Sequence, residues 1–354
     1  MQKSRSDNCI DLDGAQKIIV NPNWALYMRI LAFIILIIPQ LMWAQLFPNL
    51  GGQRVGISTA QFLKIGVGAR SVGMGESYVA VADDIESLYW NPAGIALFDK
   101  NAVFFSHTQW VVDVKMEYVG AVYHINQSNS IGAAITYLHT EDMVETTELQ
   151  PFGTGRMFSF GDFLLGLTYA RNMTDQFSFG LSVKFMHETI ADLTMRAVLF
   201  DLGTYYKTGW KSTRFAVSVS NFGNDMAPTG TSLNTNLNNE QTEITEYQSF
   251  APPTVFRIGI AGELMDRENH RVTGSIQLNH PNDNAENVNL GMEYWWKETL
   301  AFRSGYKTAQ VEESFSLGVG LHFPITMADF RLDYAYTNFG RLGEVNRLAV
   351  QLLF

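Results

Sequence analysis

FSFGLSVKF, residues 177–185, decides the fold. Phe177, Phe179, Leu181, Val183 and Phe185 fall on one side of an extended chain, and Ser178, Gly180, Ser182 and Lys184 on the other. Successive side chains of a strand point to opposite faces, so this is a strand with one apolar face and one polar or small face. The same alternation sets Val288, Leu290, Met292, Tyr294 and Trp296 against Asn289, Gly291, Glu293 and Trp295. It sets Phe315, Leu317, Val319, Leu321 and Phe323 against Ser316, Gly318, Gly320 and His322. It also sets Phe330, Leu332, Tyr334 and Tyr336 against Asp329, Arg331, Asp333 and Ala335.

A soluble sandwich alternates too, but hides its apolar face. A barrel in lipid turns that face outward and keeps the polar one in its lumen. The small and polar faces, the aromatic strand ends and the N-terminal segment favour the second. The chain therefore reads as all-β: a transmembrane outer-membrane β-barrel of about 14 antiparallel strands over residues 102–354, an even number as in bacterial single-chain barrels. The strands begin near Ala102, Met116, Ser130, Ser159, Gln176, Thr194, Thr213, Thr254, His270, Asn287, Thr299, Ser314, Met327 and Glu344. The two long connections, residues 140–158 and 223–253, follow odd-numbered strands, and connections after even-numbered strands, such as 126–129 and 296–298, are short. Periplasmic turns are short and outer loops longer, so both chain ends are expected on the periplasmic side. The first and third outer loops are nevertheless short. Residues 223–253 are polar, with Pro228, Gly230, Pro252 and Pro253, and read as a lid or a mobile loop.

Toward the N-terminus, Arg29 precedes nine consecutive apolar residues, Ile30 to Ile38, and Ala44-Gln45 follows as a cleavage point. That order is a secretory signal peptide, residues 1–44, with Met28 as the true start. Met42 stands where a small residue is preferred. A retained anchor is disfavoured, since the run is short for a membrane-spanning helix. Cys9 is the only cysteine, so no disulfide forms within the chain.

Between signal and barrel lies a segment of another kind, residues 45–101. Within it Gly66, Gly68, Gly73, Gly75 and Gly94 allow frequent turns and close backbone contact. Asp83-Asp84-Ile85-Glu86 resembles a capping box, and Asn91-Pro92 marks a second helix start with Pro at its first position. A barrel this wide has a lumen that side chains alone do not fill. The segment is read as a plug, entering from the periplasmic side. Phe62, Tyr78 and Trp90 would pack on the inner wall, Arg70 would pair with Asp83 or Asp84, and Asn91 and Pro92 would lead out to the first strand.

The run from Phe62 through Arg70, Gly73 and Gly75, followed by Ala82-Asp83-Asp84 and Trp90-Asn91-Pro92-Ala93-Gly94, resembles the start of the PorV/PorQ family of Bacteroidetes-type outer-membrane proteins. That family is similar in turn to FadL-like fatty-acid transporters, which share the Asn-Pro-Ala element. The form here is nearer to PorV. The resemblance implies a barrel in type IX secretion, in the Gram-negative outer membrane, receiving cargo with a C-terminal signal domain and meeting other secretion components. The FadL-like relationship implies instead the passage of a hydrophobic ligand, and a purely structural barrel is the third reading. A terminal strand ending on Phe354 resembles the signal used by outer-membrane barrel assembly.

Other chemistries lack their residues. A net charge of −10 argues against a nucleic-acid partner. Gly66-Val67-Gly68 has Ser71 where a dinucleotide fingerprint needs its third glycine. The seven histidines are scattered without zinc-like spacing, and no GxSxG elbow occurs. Glu293, Asp329 and Asp333 are read as lumen carboxylates paired with Arg303 or Arg331. No enzyme activity, catalytic residue, metal or cofactor is expected; the partner common to every reading is outer-membrane lipid.

Overall fold

The computed structural model describes residues 56–148, 150–235, 241–308, 313–325 and 328–354. The signal peptide, the Met28 start, Cys9 and residues 45–55 of the plug segment lie outside the described residues.

The strands are β1 (Ala102–Gln109), β2 (Lys115–Asn126), β3 (Asn129–His139), β4 (Phe160–Asn172), β5 (Phe177–Ile190), β6 (Leu193–Lys207) and β7 (Arg214–Gly223) in the first half. The second half has β8 (Val255–Arg267), β9 (His270–Pro281), β10 (Asn287–Trp296), β11 (Leu300–Lys307), β12 (Phe315–Ile325), β13 (Ala328–Asn338) and β14 (Glu344–Leu353). Each pairs antiparallel with its sequence neighbours, and β14 closes on β1 from Ala102↔Leu353 to Gln109↔Asn346. The sheet is thus a closed barrel of 14 strands. Every strand starts within one residue of the position read from alternation.

Side-chain direction follows the pattern. On β5, Phe179, Leu181, Val183 and Phe185 are 37–43% exposed, while Ser178, Ser182 and Lys184 are buried. Leu290 is 42% exposed and its neighbour Asn289 only 1%. Val319 is exposed, Leu332 is half-buried, and Asp333 points inward. Apolar residues therefore form the outer skin, while the interior holds the polar residues together with an apolar cluster of Phe104, Met116, Leu138, Met186 and Leu199 against residues 60–96. An apolar skin is the inverse of a soluble fold and the arrangement lipid selects.

Outer loops add little regular structure. Residues 140–159 carry a ribbon of Met143–Val144 with Met157–Phe158. Residues 224–254 carry a second ribbon, Ser232–Thr235 with Gln241–Ile244, and Met226 bridges Phe250. This long loop is pinned at its base to β6 and to the plug segment, through Thr194↔Thr229 and Ser58↔Ala251.

Inside the wall run residues 56–101, with α1 (Ala69–Gly73), α2 (Ser87–Trp90) and 3-10 turns at Gln61–Lys64 and Pro92–Ala96. The route corrects the expectation of a periplasmic entrance. Ser58 bridges Ala251, and Lys64 binds Asp283 at 2.8 Å, so the described segment starts at the rim of the long loops. It descends past β11 and β12 and ends at the opposite rim, where Asn172 donates to the Ala96 carbonyl at 2.7 Å and Phe98 packs on His124. The direction is set by Asp283, a contact too distant in sequence for local pattern to reveal.

An arginine facing the hydrocarbon midplane of a barrel costs about 2–4 kcal/mol. Val319→Arg is expected to lower stability by that amount in urea unfolding from liposomes. A membrane-soluble thiol reagent is expected to label Cys at position 290 and to spare Cys at 289; the reverse outcome would put the register off by one.

Candidate functional site: the lumen between plug and wall

Arg70 projects from α1 into a nest of acids. Its Nε and one terminal nitrogen bind the two oxygens of Glu293 on β10, each at 2.9 Å. The other terminal nitrogen binds Asp83 and Asp84, both at 2.8 Å. Glu293 is shared: Arg303 of β11 donates to it at 2.6 Å and to Asp333 of β13 at 2.6 Å. The chain Asp84–Arg70–Glu293–Arg303–Asp333 therefore runs from the plug into three strands. The guanidiniums also lie over aromatic faces, Arg70 on Tyr78 and Arg303 on Trp295, both 5.5 Å from the ring centroid. Cation–π contact adds attraction where water is excluded.

Glu86 departs from its sequence reading. It does not complete a capping box with Asp83; α2 begins after it with no side-chain cap. Its carboxylate instead accepts from the backbone N–H of Arg70 and Ser71, at 3.2 and 2.9 Å, capping α1. A carboxylate meets the free N–H groups of a helix start favourably. Asp84 takes the local role, accepting from the N–H of Glu86 at 3.0 Å. Asn91 and Pro92 match expectation: the Asn91 side chain caps Ala93 N–H at 3.2 Å, with Pro92 first in the turn.

Contact between plug and wall depends on missing side chains. A Cβ on Gly305 would sit 1.9 Å from the Gly75 nitrogen, and one on Gly180 would sit 2.3 Å from the Pro92 carbonyl carbon. A Cβ on Gly73 would sit 3.0 Å from Gly318 Cα. Gly75 has φ +64°, so it is required both by its turn and by the approach of β11. Amides add further contacts. Gln277 Oε1 accepts from Tyr78 and Val79 N–H at 2.9 and 2.8 Å, and Asn91 Nδ2 donates to the carbonyls of Val79 and Thr204 at 3.0 and 3.1 Å. Trp90 Nε1 donates to the Val67 carbonyl at 2.9 Å. Phe62, Tyr78 and Trp90 are buried as anticipated.

Two hollows flank the plug, the outer of mixed and the inner of polar lining. The outer one, about 280 Å³, is bounded by Lys64, Trp90, Trp110, Arg257, Asn289 and Lys307, among others. Lys307 is held between Glu76 at 2.9 Å and Glu313 at 2.5 Å. Asp283 closes its rim: burial disfavours its charge, but hydrogen bonds from Lys64, Ser58 and Gln61 hold the carboxyl below its usual range. The inner hollow, about 180 Å³, lies among Arg70, Asp83, Arg271, Glu298 and Arg331. The apolar hollows, about 700 and 800 Å³, are bounded by outward residues such as Val103 and Leu167, or Phe302 and Val319, and so face lipid.

Every residue singled out beforehand in the plug, Phe62, Arg70, Gly73, Gly75, Asp83, Asp84, Trp90, Asn91 and Pro92, lies in this segment, and all but Asp83 are buried. Asp329 pairs with Lys100 rather than with an arginine. Sequence reasoning missed Arg257, Asp283, Lys307 and Arg347. Alternation puts three of them on inward faces, but nothing local singles them out. Among the described residues no group of three or more His, Cys, Asp or Glu is placed to hold a metal.

The family described as type IX secretion system protein PorV matches residues 50–279, more than half of the chain. A comparison with curated protein sequences finds no match. Among solved structures, the barrel is similar to the Ralstonia pickettii toluene transporter TbuX, with TM-score 0.54 and 13% identity over 81% of this chain and 97% of that one. It is similar to the monoaromatic hydrocarbon channel CymD, with TM-score 0.53 and 13% identity over 82% and 97%. A Pseudomonas aeruginosa FadL homologue gives TM-score 0.53 and 10% identity over 81% and 98%. At these identities the likeness is one of fold.

Removing one partner of a buried ion pair costs about 3–5 kcal/mol. Glu293→Gln is expected to destabilise the folded barrel by that amount, read from the urea midpoint of its compact form. Asp329→Asn, at a partly exposed pair, is expected to cost about 0–1 kcal/mol. Equal effects would mean that the buried chain of charges does not hold the plug.

Proposed function

The chain belongs to the PorV family of type IX secretion system proteins, and from that premise we propose that this outer-membrane barrel binds or delivers secreted cargo carrying a C-terminal signal domain. The observation that carries the reading is the filled lumen. A route for hydrophobic molecules needs a continuous apolar pocket. Here the space between plug and wall is occupied by Arg70, Glu293 and Arg303 and by backbone contacts at Gly305, and charges and amides such as Lys64, Arg257, Asn289 and Lys307 interrupt the apolar lining of the outer hollow. Work at the outer rim with a protein partner asks nothing of the lumen except that it stay shut. Residues 45–101 are, on this reading, the seal, with Arg70 and the glycines as its fastening. No enzymatic activity is assigned.

The competing reading is transport of hydrophobic molecules, favoured by the fold shared with a toluene transporter and a monoaromatic hydrocarbon channel. Crosslinking in intact outer membrane, followed by identification of bound proteins and bound lipids together, separates the two. Secreted proteins with a C-terminal signal domain are the expected catch. Hydrophobic small molecules without such proteins would replace secretion by transport.

The seal has its own test. Deleting residues 46–80 is expected to leave a barrel that inserts but conducts small ions in single-channel recording. A truncated barrel as tight as the intact one would transfer the sealing role to loops such as residues 224–254.

A further inference from the structure

Two arginines are buried in the outer half of the lumen without a carboxylate in ion-pair contact. Arg257 on β8 is 5% exposed. It donates to Ser220 Oγ at 2.7 Å, and its guanidinium lies 5.4 Å from the centre of the Trp90 ring. Arg347 on β14 is 1% exposed. It donates to the Gly66 carbonyl and to Thr337 Oγ1, each at 3.3 Å, lies over Trp110, and leaves one terminal nitrogen without a partner. Among the described residues, neither forms an ion pair.

The surrounding charges do not supply the missing counter-ion. Lys64 is taken by Asp283, Lys184 by Asp201, and Lys307 by Glu76 and Glu313. The acids nearest the hollow are thus engaged by lysines, and Arg257, with only a hydroxyl and a ring beside it, keeps a buried charge that needs a partner. Arg257 and Trp90 border the outer hollow, as does Asn289, whose side-chain oxygen is buried and accepts no hydrogen bond. A guanidinium is shaped for a carboxylate, and an idle amide oxygen for an N–H.

The geometry points to a carboxylate seat in the outer hollow, with Arg257 as counter-ion, Trp90 as the face beneath it and Asn289 accepting from a neighbouring N–H of the ligand. The ligand is a monoanionic carboxylate reaching in from the outer rim. Two sources carry that chemistry: the end of a polypeptide and a small free organic acid. The seat rests on unpaired groups of this chain and not on the cargo reading, so either can fail alone.

Titration of the full-length protein in detergent, followed by tryptophan fluorescence, tests it with three probes: N-acetyl-alanyl-alanine, its C-terminal amide, and propanoate. The acid is expected to bind at least about tenfold more tightly than the amide, and Arg257→Gln to remove that preference. Arg271→Gln, at the other mouth, is expected to leave it intact. Binding of acid but not propanoate assigns the seat to a polypeptide end; equal binding of both assigns it to free acids. Failure of every acid to bind, equal affinity of acid and amide, or an unchanged preference in Arg257→Gln overturns the proposal. If Arg257→Gln does not fold, the acid-against-amide comparison in the unaltered protein decides alone.

Discussion

Glu293 sits between two guanidiniums that come from different parts of the chain, Arg70 on the plug and Arg303 on the wall. Neither arginine is tolerable alone in a space with so little water, and the carboxylate between them is no more so. Each charge is stable only while the others are in place. The arrangement converts the cost of burying ions into a demand for one position of the plug.

The same constraint explains why the lumen is so polar. Lipid takes the apolar face of every strand, so many inward positions carry Ser, Thr, Asn, Gln or charged residues, with apolar ones such as Met116, Leu138, Met186 and Leu199 among them. The plug answers both kinds of surface. Ile85, Leu88 and Ile95 join the apolar wall residues in one cluster, its acids and Arg70 meet the charged ones, and Gln277 and Asn91 bind its N–H and C=O groups directly. Glycines at Gly180, Gly305 and Gly318 bring wall and plug backbones to contact distance.

The fold was legible because its determinant is local. Alternation over ten residues states the face, the length and nearly the first residue of each strand. The N-terminal segment was legible in part. Asn91-Pro92 announces a helix start by chemistry confined to three residues, and it formed. Asp83 to Glu86 carried a similar local signal, yet Glu86 caps a helix some fifteen residues earlier, with its hydrogen bond to Ser71 the deciding one. The direction of the plug, the partner of Asp329 and the solitude of Arg257 rest on contacts between residues far apart in sequence. No pattern in one chain marks such contacts.

The path of residues 56–101 has a consequence for how the molecule is built. The chain lies at the outer rim at Ser58, runs down the whole lumen and leaves at the inner rim to become β1, whose other edge meets β14. Ring and occupant therefore share one covalent junction, where residue 101 meets β1, and every other attachment is noncovalent. The occupant is held like a stalk, by a single root and by grips along its length, Arg70 on Glu293 partway and Lys64 on Asp283 near the far rim.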